Sequence, residues 1–262
     1  MQRYFAALLL SCFLFQPVWA AVKGQEVEYK AGDTVLKGYI AYDDAVKTKR
    51  PAVLVVHEWW GHDKHARNSA RKLAEAGFVG FALDMYGEGK QAHHPKDAGE
   101  MSGQIRKNLP LMQARFDAAR DYLGKQPMVD PAHIGVIGYC FGGAVALDMA
   151  RQGEDLPAVV TFHGVLGTEH PAQSGKIKGK VLVLTGADDP FVPKQQVEGF
   201  EQEMKSAGAD YKVIAYPGAK HAFTNPAATA NGKKFNLPLE YNAQADKQSW
   251  SEAIAFLKRT LM

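Results

Sequence analysis

The chain is nearly without cysteine, with only Cys12 and Cys140 among its 262 residues. It also lacks a charge of one dominant sign: the formal net charge is +3, and basic and acidic residues are interspersed. Without a basic face or an arginine-rich run, a nucleic-acid partner is excluded. Internal repeats, long linkers and low-complexity segments are also missing, so one domain is expected. No apolar run is long enough to span a bilayer comfortably. The longest, Tyr4 to Phe15, follows Arg3 and is broken by Pro17. Val18-Trp19-Ala20 then offers the small residues that a signal peptidase reads. Residues 1–20 are therefore expected to be an export leader cut after Ala20, which places the mature protein in the periplasm or outside the cell.

Removing the leader removes Cys12 and leaves Cys140 as the one thiol, which rules out an intramolecular disulfide. A single cysteine in an oxidising compartment is either a buried core thiol or a working one. Its local sequence distinguishes the two.

Hydrophobic residues make up 46% of the chain, enough for a large core. Val27–Tyr29 and Val35–Tyr42 alternate like an antiparallel hairpin turned at Gly32-Asp33. Short continuous apolar runs follow at 52–56, 80–83, 134–137, 158–162 and 181–185, with a further strand at 211–216. Such runs suit strands buried on both faces. Helical patterns lie between them at 66–76, up to Leu123, at 141–151, at 194–207 and at 246–261. The polar segments 87–100 and 227–241 read as loops. The fold class is α/β: a mostly parallel twisted sheet with an N-terminal antiparallel hairpin and helices on both faces.

Gly138-Tyr139-Cys140-Phe141-Gly142-Gly143 lies where a buried strand turns into a helix. This is the nucleophile-elbow pattern with cysteine at the nucleophile position. The glycines are required because the turn is too sharp for side chains on either side of it. The helix that starts there points the free N–H of Phe141 into the site and favours an anion. A core thiol would need none of this.

Asp188 and Asp189 follow the 181–185 strand. Asp189 fits the acid position better, and Asp188 suits a turn cap. His221 follows the last strand in a Pro-Gly loop. The order nucleophile, acid, histidine is the one α/β-hydrolases use, so Cys140, Asp189 and His221 are the candidate triad. In His57-Glu58-Trp59-Trp60-Gly61 the backbone N–H of Trp59 is the candidate second oxyanion donor beside that of Phe141. Glu58 is expected near the thiol. Trp60, Tyr86, Tyr139, Phe223 and Asn225 are candidates for the substrate pocket. His57, His62 and His65 lack the helical spacing of a zinc protease, so neither a metal nor another cofactor is expected.

HEWWG at 57–61, DMYG at 84–87, GYCFGG at 138–143, GADDPFVP at 186–193 and HAFTNP at 221–226 together resemble the dienelactone hydrolase family. The resemblance spans the mature chain from Val27 to the last helix. It implies an α/β-hydrolase fold, the Cys140–His221–Asp189 triad, an oxyanion hole of the Trp59 and Phe141 amides, and a Glu58 that helps generate the thiolate. Dienelactone-cleaving members hold the substrate carboxylate with two arginines, where this chain has Glu88 and Asn225. Lys90 and Lys220 are the nearest substitutes in sequence. The expected activity is hydrolysis of a small ester or lactone through a thioester. The alternatives are a broad carboxylesterase or thioesterase and a non-catalytic, ligand-binding or thiol-reactive protein on the same fold. The expected partner is a small molecule, with no membrane contact once the leader is gone, and the expected state is a monomer or small homo-oligomer.

Overall fold

The computed structural model describes residues 22–262; the export leader expected at residues 1–20, with Cys12, lies outside the described residues. The strands are β1 (Val22–Ala31), β2 (Thr34–Asp43), β3 (Arg50–Val56), β4 (Val79–Leu83), β5 (Val129–Tyr139), β6 (Ala158–Phe162), β7 (Lys180–Gly186) and β8 (Asp210–Tyr216). They form one sheet in the order β1-β2-β4-β3-β5-β6-β7-β8. The β1/β2 and β2/β4 pairs are antiparallel, and every other pair is parallel. This is the α/β-hydrolase arrangement.

The helices are α1 (Lys64–Glu75), α2 (Pro95–Arg106), α3 (Leu109–Gly124), α4 (Phe141–Gln152), α5 (Lys194–Ala207), α6 (Ala228–Phe235) and α7 (Ala243–Leu261). Side chains alternate across the central strands, which splits the core into two layers. Val53, Val55, Ile137, Val160 and Leu182 pack beneath α1 and α7. Leu54, Val136, Val159 and Val183 face α3, α4 and α5. A smaller apolar cluster of Trp60, Ala92, Ala98, Ala222, Ala228 and Leu239 covers the carboxyl edge of the sheet. Among the described residues, no helix is long and apolar enough to cross a membrane.

Two expected loops contain helices. α2 starts inside the polar segment 87–100, with Pro95 in its first turn and the His94 side chain capping the Lys96 amide at 3.2 Å. Asn108, which caps Leu111, then separates it from α3. α6 lies inside 227–241. It buries only Ala228 and Gly232, too few for a periodic signal, and a Cβ on Gly232 would strike the Leu239 carbonyl. Tertiary packing, not intrinsic pattern, makes it helical. β5 also begins earlier than the apolar run at 134–137, because Val129 already pairs with Arg50.

The chain goes from β3 to β4 on one side and then crosses to β5 on the other. The carboxyl ends of β3 and β5 therefore flank a topological switch point, where open α/β sheets place their crevice. Near the end of α4, Arg151 ties that helix to α5 and to the segment after β6. Its guanidinium is buried, donates twice to Glu203 of α5 at 2.9 and 2.8 Å, and also binds Asp148 at 3.0 Å and the Leu166 carbonyl at 2.7 Å. Removing it leaves two carboxylates without their cation. Arg151→Ala is expected to lower the unfolding free energy by about 3–5 kcal/mol, measured by urea unfolding, with Arg151→Lys recovering only part because it cannot bridge the same acceptors.

Candidate active site

The last residue of β5 is Tyr139, and α4 begins at Phe141, so Cys140 alone makes the turn. Its backbone lies at φ 52°, ψ −115°, a region that side-chain-bearing residues avoid. The surroundings hold it there. Its N–H donates to the Phe162 carbonyl at 3.0 Å, and its own carbonyl accepts from Gly143 at 3.0 Å and Ala144 at 3.2 Å. A Cβ on Gly138 would run into the Gly142 carbonyl, and one on Gly142 into the carbonyls of Val56 and His57. The elbow is thus wedged against the end of β3.

Each parallel strand then delivers one component to the same edge. From β8 comes His221, whose Nε2 lies 3.0 Å from the Cys140 sulfur. From β7 comes Asp189, whose Oδ2 lies 2.7 Å from His221 Nδ1. The other Asp189 oxygen accepts from the Phe191 amide at 2.8 Å. Asp188 is exposed and takes no part in this chain of contacts. Burial by itself lowers the His221 pKa, but the Cys140 sulfur and the Asp189 carboxylate outweigh it and raise the pKa above the ordinary imidazole value.

His221 differs in this respect from the histidines around it. Burial lowers the pKa of His57, His62, His65 and His163, with His62 and His65 brought down to about 4. His163, at φ 41°, places its ring edge-on to His221 at 5.3 Å and bonds Thr224 Oγ1 at 2.8 Å. His65 reaches the Thr224 carbonyl at 3.2 Å. The loop that carries His221 is thereby pinned by two histidines that the sequence reading left without a role.

Cys140 and His221 open into a cleft of ≈ 180 Å³. Trp59 and Phe141, the two candidate oxyanion residues, both line it. The rest of its wall is Ser102 and Arg106 of α2, Ala144, Val165, Phe191, Leu237 and Leu239. These come from segments distant in sequence, and no local motif marks them. Arg106 makes no salt bridge among the described residues and is exposed at the cleft.

None of the five residues expected to line the substrate pocket, Trp60, Tyr86, Tyr139, Phe223 and Asn225, lines this cleft. Tyr139 precedes the nucleophile on β5, so its side chain points to the opposite side of the turn, stacking on Phe162 at 4.8 Å and bonding Ser69. Phe223 is fully buried in the layer beneath α1 and α7. Tyr86 packs against Phe141 and donates to the Trp59 carbonyl at 2.9 Å, which makes it a support for the cleft and not part of its lining. Trp60 and Asn225 line a separate depression with Phe235. Lys90 pairs with Glu88 and Lys220 with Glu240, both outside the cleft.

Glu58 is buried, and its Oε2 accepts from Asn225 Nδ2 at 2.5 Å while Oε1 has no partner. The sulfur bonds His221, not Glu58. Among the described residues, no cluster of histidine, cysteine and carboxylate side chains could hold a metal ion.

Known proteins share this fold. The sequence profile of the dienelactone hydrolase family matches residues 36–261. "Protein usf" of Aquifex pyrophilus is 32% identical over 243 residues, covering 91% of this chain and 99% of that one. The crystal structure of a dienelactone hydrolase-like promiscuous phosphotriesterase from metagenomic libraries is 33% identical and superposes with a TM-score of 0.85, covering 92% of this chain and 100% of that one. The dienelactone hydrolase of Anabaena variabilis, 20% identical with a TM-score of 0.63 over 92% of this chain and 99% of that one, shares the fold. With a profile match that runs from β2 to the end of α7, this chain belongs to the dienelactone hydrolase family and is a hydrolase acting on ester or lactone bonds.

Proposed function

We propose that the protein cleaves a small ester or lactone through a thioester on Cys140. The observation that carries this is the unbroken contact chain from Asp189 through His221 to the Cys140 sulfur, 2.7 Å and 3.0 Å long, at the floor of the cleft. His221 Nε2 takes the thiol proton as the sulfur attacks the carbonyl carbon. The carbonyl oxygen gains the negative charge and accepts from the Trp59 and Phe141 amides. Collapse breaks the bond to the alcohol oxygen, which leaves with the proton from His221. Water then gives its proton to His221 and attacks the thioester, and the sulfur departs and recovers the proton from His221. Asp189 keeps the imidazole in the tautomer that presents Nε2 to the sulfur and stabilises the imidazolium. Thiolates favour activated esters over amides, which supports an ester, lactone or thioester substrate.

The cleft suggests the kind of substrate. Its ≈ 180 Å³ correspond to about six water volumes, enough for a compact molecule. Its wall is apolar apart from Ser102 and the guanidinium of Arg106. With Glu88 and Asn225 at the two positions where family members carry arginines, Arg106 is the cation left to meet an anionic substituent. A compact acyl or ring compound bearing a carboxylate fits this wall best.

Glu58 in this scheme stays uncharged at rest. Burial, and after it the Asp63 carboxylate, push its pKa up to about 8, against the opposing effects of the Asn225 hydrogen bond and His221. A second anion is thereby kept away from the place where the oxyanion develops.

Three outcomes are expected. With p-nitrophenyl acetate, Cys140→Ser and His221→Ala lose at least about 10³-fold in kcat/KM relative to wild type. A wild type that shows neither burst nor turnover, with a thiol that resists iodoacetamide at neutral pH, would overturn the reading. Arg106→Met raises KM about tenfold for a carboxylate-bearing aryl ester and leaves the neutral ester nearly unchanged, as steady-state kinetics on the matched pair will tell. The third concerns stability. Because the folded protein favours protonated Glu58, that stabilisation is complete below the unfolded carboxyl value near 4.5 and is lost as pH rises through about 8. Thermal unfolding of wild type therefore falls towards alkaline pH, and Glu58→Gln flattens that fall by roughly a few degrees.

A further inference from the structure

His57 directly follows β3, is fully buried and does not line the cleft. It does not touch the sulfur or the His221 ring, so the scheme above gives it no task. Its hydrogen bonds define its state. The Met85 N–H donates to His57 Nε2 at 3.2 Å, so Nε2 is the bare nitrogen and Nδ1 carries the hydrogen. Nδ1–H then donates to the carbonyl of Glu58 at 2.6 Å.

That carbonyl belongs to the same peptide unit as the N–H of Trp59. In a trans peptide the C=O and N–H point in opposite directions across a rigid plane. Holding the Glu58 carbonyl towards the buried ring therefore aims the Trp59 N–H the other way, towards the cleft that Trp59 lines. The same carbonyl also accepts from Gly61 at 3.1 Å, and the next carbonyl, that of Trp59, accepts from the Tyr86 hydroxyl at 2.9 Å. The two side chains that grip this loop touch each other edge to face at 4.7 Å. The His57 ring further lies nearly parallel to Phe141 at 5.8 Å, beside the residue that supplies the other amide.

We propose that His57 is a positioning residue for acyl transfer: it fixes the Glu58–Trp59 peptide plane so that the Trp59 amide is aimed at the oxyanion before substrate arrives. The proposal rests on the ester-hydrolase reading. It makes a prediction that a purely structural role would not. Alkylation of Cys140 by iodoacetamide needs the thiolate but develops no oxyanion, whereas ester hydrolysis needs both.

The test measures both reactions in wild type, His57→Phe, His57→Asn and Tyr86→Phe. His57→Phe keeps the ring and removes both hydrogen bonds. It is expected to lower kcat for p-nitrophenyl acetate by roughly 10- to 100-fold with KM changed little, while the iodoacetamide rate stays within about twofold. His57→Asn restores an N–H near the place of Nδ1 and should recover most of kcat. Should His57→Phe fail to fold, Tyr86→Phe carries the test alone, with a smaller loss of the same pattern: kcat down, alkylation unchanged. An unchanged kcat in these variants overturns the proposal, as does a parallel fall in alkylation or an equal loss in the Phe and Asn variants. A wild type without ester turnover overturns the functional reading, and this proposal with it. An active wild type beside an equally active His57→Phe overturns this proposal alone.

Discussion

The backbone turn at Cys140 is the constraint on which the rest of the molecule depends. A residue with a side chain at φ 52° costs on the order of 1–3 kcal/mol unless its neighbours leave no alternative. Here they leave none: Gly138 and Gly142 close against each other and against the end of β3, and the Phe162 carbonyl holds the Cys140 amide. The turn projects the sulfur out of the sheet edge and starts α4 directly behind it. Two further residues with left-handed backbones, His163 and Ala222, lie around the same site. Strain is concentrated where the chemistry is, and the two-layer core beneath supplies the stability that maintains it.

The electrostatic design follows from burial. His57, His62, His65 and His163 are held neutral because charging them in a dry environment is unfavourable. They can then serve as fixed donors and acceptors for backbone groups. Only His221 has both a carboxylate and a sulfur beside it, and only its pKa is raised. One imidazole among five is thereby selected to carry a proton. Glu58 shows the same rule from the acid side: burial, and after it the Asp63 carboxylate, push it towards its neutral form against the opposing Asn225 hydrogen bond.

Much of this was legible in the sequence, for reasons that are local. Strands buried on both faces leave continuous apolar runs, and β6 and α5 begin and end where the pattern places them. The elbow is readable because its glycines are forced by sterics, and the edge residues because each directly follows a strand. What could not be read depends on tertiary placement. α6 buries too little to show a period. Tyr139 and Phe223 belong to the core because the turn and the sheet direct them away from the cleft, which composition cannot reveal. Arg106, Val165, Leu237 and Leu239 meet in the cleft only after folding. The arginine is the last residue of α2, a helix whose histidine-capped start lies within a polar stretch.

The central claim is that Cys140 carries the acyl group. Its most direct test is to mix the protein with p-nitrophenyl acetate, quench in acid during the burst and map the modified peptide by mass spectrometry. The account predicts an acetyl group on Cys140 that decays as turnover proceeds and accumulates when deacylation is slowed by lowering the pH, which protonates His221. An active protein that bears no acyl group at all, or bears it on another residue, would contradict it.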